Sequence, residues 1–134
     1  MTESITNRFK IIKKDKLVVF IDLFKKGIFQ IRYKVKSKRI LIGSGKNCGI
    51  LIQEEGINDI YARLHRGGEN ELSFEKILEG LPDTYLNNTK IVKSNLRNGD
   101  RLTIGTVELF FSFVEVNEED EETNLRLELA SDRT

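Results

Sequence analysis

Along residues 29–35 apolar and polar side chains alternate: Phe29, Ile31, Tyr33 and Val35 against Gln30, Arg32 and Lys34. A period of two places each set on its own face of an extended chain, so the pattern predicts a half-buried strand with those four apolar residues inward. The run before it, Leu17-Val18-Val19-Phe20-Ile21-Asp22-Leu23-Phe24, is rich in β-branched and aromatic residues. Lys25-Lys26-Gly27 between the two runs suits a short hairpin with glycine at the positive-φ position. A helix over 15–26 is the competing reading, although Val-Val-Phe-Ile is poor helix sequence.

The same grammar continues downstream. Strands are predicted over 38–42 and about 49–53, flanking the turn Gly43-Ser44-Gly45-Lys46-Asn47-Cys48-Gly49. Residues 54–59 read as a loop and 60–66 as a strand. Gly67-Gly68-Glu69-Asn70 is a turn signal, and 71–77 return with Leu72 and Phe74 inward. Residues 78–83, with the sole proline Pro82, read as an ordered loop. Short strands follow at 84–86 and 90–92, then Asn98-Gly99-Asp100 turns into 101–104. Gly105-Thr106 turns again into 107–115, with Val107, Leu109, Phe111 and Phe113 inward. Ten or eleven short strands with no long helix predict an all-β sandwich.

Composition narrows the picture. A chain of 134 residues with 39% apolar and 32% charged residues is expected to form one domain. One cysteine and one histidine exclude an intramolecular disulfide and a zinc site of the usual Cys/His type. The longest apolar run, Leu17–Ile21, is far too short to span a membrane, and the amino terminus does not read as a signal peptide. A cytoplasmic location is expected. The net charge of +1 hides a strongly basic residue 1–40 segment and an acidic one from 115 onward. We therefore read a basic flexible arm over 1–15, a domain over 16–115 and an acidic, disordered tail over 116–134. The Leu125–Leu129 alternation in that tail suits an edge strand or a short helix on a partner.

No catalytic chemistry is legible. Gly43-Ser44-Gly45-Lys46 lacks the spacing of a phosphate-cradling loop and the helix that follows one. No nucleophile–base pair, metal cluster or cofactor motif is present, so no catalytic residue, metal or cofactor is assigned. His65 reads as a surface residue and Cys48 as a small buried one.

In this order and spacing, residues 16–114 resemble a forkhead-associated (FHA) domain. The resemblance rests on Ile42-Gly43 with its turn and Ile50-Leu51-Ile52, on Asn58-Asp59-Ile60-Tyr61-Ala62, on Asp83-Thr84-Tyr85-Leu86-Asn87, and on Leu96-Arg97-Asn98-Gly99-Asp100-Arg101-Leu102-Thr103-Ile104-Gly105. It implies an eleven-stranded sandwich whose loops at one end bind phosphothreonine in the family. At those loops this sequence departs from the pattern. The family's phosphate-binding arginine falls at Ser44, its phosphate-contacting serine at Asn58, and its loop-bracing histidine at Tyr61. Its peptide-holding asparagine falls at Pro82, and the adjoining glycine at Asp83. Each lost charge-assisted hydrogen bond is worth about 1.5–3 kcal/mol, and proline offers no N–H. Lys46 and Arg63 are the cations near enough in sequence to substitute.

The resemblance thus implies a non-catalytic protein-docking module that has lost phosphothreonine recognition. Its partner-binding residues would be Ser44, Lys46, Asn58, Tyr61, Asp83, Thr84 and Asn87, and its partner another protein. Weak phosphothreonine binding through Lys46 and Asn58 is the alternative, and nucleic-acid binding through the basic segment 8–39 is a third reading.

Overall fold

The computed structural model describes residues 15–68, 71–77 and 82–117. They form eleven strands: β1 (Asp15–Lys25), β2 (Ile28–Lys34), β3 (Arg39–Gly43), β4 (Ile50–Leu51), β5 (Ala62–Arg66), β6 (Leu72–Lys76), β7 (Thr84–Leu86), β8 (Thr89–Ile91), β9 (Lys93–Leu96), β10 (Arg101–Ile104) and β11 (Val107–Asn117). Six make one sheet in the order β2-β1-β11-β10-β7-β8, and five make the other in the order β4-β3-β5-β6-β9. The sandwich is the one expected from the sequence. The strand over 15–25 replaces the competing helix.

Residues 19–113 form one compact unit; the described residues 15–18 and 114–117, the outer ends of β1 and β11, belong to a second. In the larger unit the core is built from alternate positions on both sheets. Ile21, Leu102, Ile104 and Leu109 come from one sheet and Ile42, Leu64, Leu72 and Phe74 from the other, all buried. In the second unit Val18 is buried and Val114 exposed. The arm expected over 1–15 and the tail over 116–134 lie almost wholly outside the described residues.

Two hairpins explain how short polar turns hold the register. Lys26 and Gly27 have φ of 51° and 79°, and Asn87 and Asn88 have 48° and 73°. Two successive left-handed residues give the primed turn whose twist matches that of the strands it joins. At the first hairpin the sequence points to glycine alone, yet Lys26 shares the strained conformation.

Two expectations are corrected and one strand is added. Phe29 and Ile31 are 52% and 45% exposed, not inward, while Tyr33 is half-buried and Val35 fully buried. A bulge at Gln30 breaks the period: Phe29 pairs with Phe24 and Ile31 with Leu23, so the two lie on opposite faces of β2, the last strand of its sheet. Residues 93–96 form β9, which no alternation announces. Lys93-Ser94-Asn95-Leu96 becomes a strand because β6 offers it a ladder from Leu72↔Leu96 to Glu75↔Lys93. Cys48 is half-buried, with its thiol donating to the Asp59 carbonyl at 3.0 Å.

Candidate functional site

The segment after β3 and the segment before β5 run side by side. The amide of Ser44 donates to the Asn58 carbonyl at 3.1 Å, that of Gly45 to Asp59 at 3.0 Å, and that of Tyr61 to Ile42 at 2.7 Å. This contact is close enough to dictate residue type. A Cβ on Gly43 would lie 2.2 Å from the Asp59 carbonyl oxygen, and one on Gly45 2.9 Å from the same atom. Gly43 is therefore needed for approach rather than for a left-handed backbone.

Within that frame the Ser44 hydroxyl donates to the Ile57 carbonyl at 3.1 Å. The side chain at this position is spent on joining the two loops. Lys46 and Asn58 are exposed at the tip. Asp83 is half-buried and lies 3.5 Å from the Lys90 ammonium.

Tyr61 and Thr84 lie beneath this surface. Tyr61 is 1% exposed and Thr84 fully buried. The Tyr61 hydroxyl donates to the Pro82 carbonyl, and it pairs with Thr84 Oγ1 at 2.6 Å. The Tyr61 side chain thus ties the loop before β5 to the loop before β7. Burial pushes its phenol pKa up; the bond to Thr84 opposes this and the charge of Asp83 adds to it. Tyr61 cannot touch a partner directly; it sets where Pro82 and Asp83 stand.

Asn87 stands apart. It follows β7, at the end of that strand away from Asp83. Its Nδ2 donates to Asp100 Oδ1 at 2.9 Å and its Oδ1 accepts the Arg101 amide at 3.0 Å. Its side chain closes a turn, as does that of Asp100, which accepts the Arg97 amide at 2.7 Å. Of the seven residues named from the sequence, Ser44, Lys46, Asn58 and Asp83 are at or near the loop-end surface. Tyr61 and Thr84 support it, and Asn87 does not belong to it.

Arg63 does not serve the loop end. It points from β5 to the outer face of the five-stranded sheet and pairs with Glu75 at 2.9 Å. There it lines a cleft of about 200 Å³ with Arg39, His65, Ser73, Glu75 and Lys93. Lys93 also reaches Glu75, at 3.5 Å.

Two residues that sequence reasoning missed hold the loop end. Lys76 stands with its ammonium 5.4 Å from the Tyr61 ring centre and donates to the Pro82 carbonyl at 3.3 Å. Glu54 accepts the Thr106 amide at 3.3 Å. No local pattern signals either: Lys76 stands over the ring of Tyr61 across the pair of β5 and β6, and Glu54 reaches a turn far along the chain. Among the described residues no buried side-chain polar atom lacks a partner, and no group of three His, Cys, Asp or Glu is placed to hold a metal. Among the described residues no helix is long and apolar enough to cross a membrane.

This architecture is shared with solved FHA domains. The FHA domain of the Chlamydia trachomatis protein CT664 superposes with a TM-score of 0.62 at 16% identity, over 71% of this chain and 96% of that one. The FhaA FHA domain, solved in complex with the intracellular domain of Rv3910, gives 0.61 at 17% identity, over 69% and 98%. The yeast Dun1 FHA domain, solved with a doubly phosphorylated peptide, gives 0.59 at 18% identity, over 73% and 75%. Comparison with curated proteins gives no match. The family model described as the inner membrane component of T3SS, cytoplasmic domain (Yop-YscD), matches residues 30–115. With that match covering most of an FHA sandwich, the chain belongs to the Yop-YscD family of cytoplasmic domains of the T3SS inner membrane component.

Proposed function

We propose that this domain is a non-catalytic docking module whose loop end meets a partner protein without needing phosphate on it. The observation that carries this reading is the Ser44 hydroxyl donating to the Ile57 carbonyl. A phosphate dianion is held by charge-assisted bonds from a fork of guanidinium donors. Here the corresponding position carries a neutral donor that already has an internal acceptor. On the loop that Tyr61 holds, the Asp83 side chain likewise offers an anion, paired with Lys90, and no donor for a phosphate. FHA relatives solved with a protein domain or a phosphorylated peptide support recognition of another protein as the general role. The family description supports a place on the cytoplasmic side of an inner membrane.

Lys46, exposed at the tip, favours the alternative of weak phosphothreonine binding. Titration with a phosphothreonine peptide library, run beside partner capture with and without phosphatase, decides between them. Capture that survives phosphatase and falls on joint Lys46→Ala and Asn58→Ala substitution is expected. Phosphothreonine-dependent binding well below about 1 mM, a weak-complex affinity, would overturn the proposal.

A further inference from the structure

The cleft on the outer face of the five-stranded sheet has no part in the loop end. Arg39, its β3 member, begins the strand whose other end carries Gly43. Four neighbouring strands build it. Arg39 stands opposite His65, and His65 opposite Ser73; Arg63 stands opposite Glu75, and Glu75 opposite Lys93. Residues paired directly across a sheet share a face, so the outer face carries two rows. Ser73 is the one short side chain lining the cleft, and its hydroxyl donates to the His65 carbonyl at 3.3 Å. It leaves a hollow of about 200 Å³ between the long ones.

The charges of the two rows differ. In the second, Glu75 answers Arg63 at 2.9 Å and Lys93 at 3.5 Å. In the first, among the described residues, neither the Arg39 guanidinium nor the His65 imidazole has an ion-pair or hydrogen-bond partner. The carboxylate of Glu71, two residues before Ser73, lies against Gly67 and does not line the cleft. Three cations and one carboxylate give the lining a formal charge of +2 with His65 neutral. Like charges brought together on one face weaken a sheet, and an anion between them reverses the sign of the interaction.

Charge and volume select the ligand. A phosphate group carries about −1.5 to −2 near neutral pH, which neutralises the lining, whereas a single carboxylate leaves half of the charge unanswered. The hollow is smaller than the roughly 300–1,000 Å³ of pockets for drug-sized ligands, so it admits one such group and not a whole nucleotide. Arginine suits the task, because its guanidinium presents a planar fork of donors to phosphate oxygens. We infer that this cleft is an anion site, in which the Arg39 fork and a ring N–H of His65 take one phosphate dianion, free or as a monoester. Arg63 spends one guanidinium nitrogen on Glu75 and adds its charge from the side. The site does not touch the loop end, and it stands or falls separately from the docking proposed there.

The test titrates the full chain with inorganic phosphate, phenyl phosphate and acetate. It reads by NMR the ring signals of His65, the chain's sole histidine. With either phosphate these signals move and saturate below about 10 mM, a weak-complex affinity, and acetate binds about tenfold more weakly. The tighter of the two phosphates tells free anion from monoester. Arg39→Ala weakens phosphate binding about tenfold or more, the loss of a charge-assisted hydrogen bond. Lys36→Ala removes an equal charge outside the cleft and changes affinity by no more than about twofold, because solvent and salt screen it. Arg39 and Lys36 are both exposed, so neither change threatens the fold. Glu75→Gln removes the opposing carboxylate and tightens binding. Acetate binding as tightly as phosphate, equal losses in Arg39→Ala and Lys36→Ala, or unmoved His65 signals up to about 10 mM would overturn the inference. So would binding of a DNA oligonucleotide or of phosphatidylglycerol vesicles through Arg39 with no response to either phosphate.

Discussion

The Tyr61 hydroxyl and Thr84 Oγ1 lie 2.6 Å apart with both side chains enclosed, and through the Pro82 carbonyl the same hydroxyl holds the loop that carries Asp83. Tyr61→Phe removes this hydroxyl and leaves a buried threonine hydroxyl without its partner. The expected loss is about 1–3 kcal/mol in urea unfolding, the cost of an unsatisfied buried group. Lys76 still donates to Pro82, which keeps the loss toward the lower figure.

The same phenol predicts alkaline sensitivity. Its pKa is raised in the folded chain, first by burial, so above the ordinary phenol value the unfolded chain releases this proton more readily than the folded one. The contribution is present in full below about pH 10 and declines as pH rises through the folded pKa. Stability curves of the native chain and Tyr61→Phe should converge at the alkaline end. Parallel curves up to the pH of unfolding would refute the assignment.

Gly43→Ala tests the close approach of the paired loops. Its Cβ would fall 2.2 Å from the Asp59 carbonyl oxygen, so the loops must separate. A loss of about 2 kcal/mol or more is expected, in the range for forced overpacking. Gly27→Ala, whose Cβ would meet nothing but whose φ is 79°, should cost about 1 kcal/mol, from backbone strain alone. Thermal unfolding of the pair separates steric contact from conformation.

Asn87 combines a φ of 48° with two side-chain hydrogen bonds. Asn87→Gly keeps the conformation and loses the bonds, while Asn87→Ala loses both. The alanine variant should be the less stable by about 1 kcal/mol in chemical unfolding. Neither should alter partner capture at the loop end, because Asn87 is at the other end of β7.

Lys46→Glu reverses the charge at the exposed tip without touching a packed atom. Stability should stay within about 0.5 kcal/mol of the native chain, while capture of the loop-end partner falls. A variant that unfolds early, or that captures as well as the native chain, would remove Lys46 from the proposed surface.

Alternation and turn residues by themselves determine most of the sandwich. Leu72 and Phe74, or Val107, Leu109 and Phe111, can be placed inward from spacing because a period of two admits one arrangement once a face is buried. Gly99 and Gly105 mark turns for the same local reason, since both have positive φ. Tertiary structure alone decides what depends on a neighbour distant in the chain. It makes a strand of Lys93–Leu96 because β6 is there to pair with it, and it puts Phe29 and Ile31 on opposite faces because the register with β1 shifts at Gln30. It turns the Ser44 hydroxyl to Ile57 and buries Tyr61 against Thr84 and Pro82. A residue's identity fixes which bonds it can make; which partner comes within reach is set by how the two sheets bring their loops together.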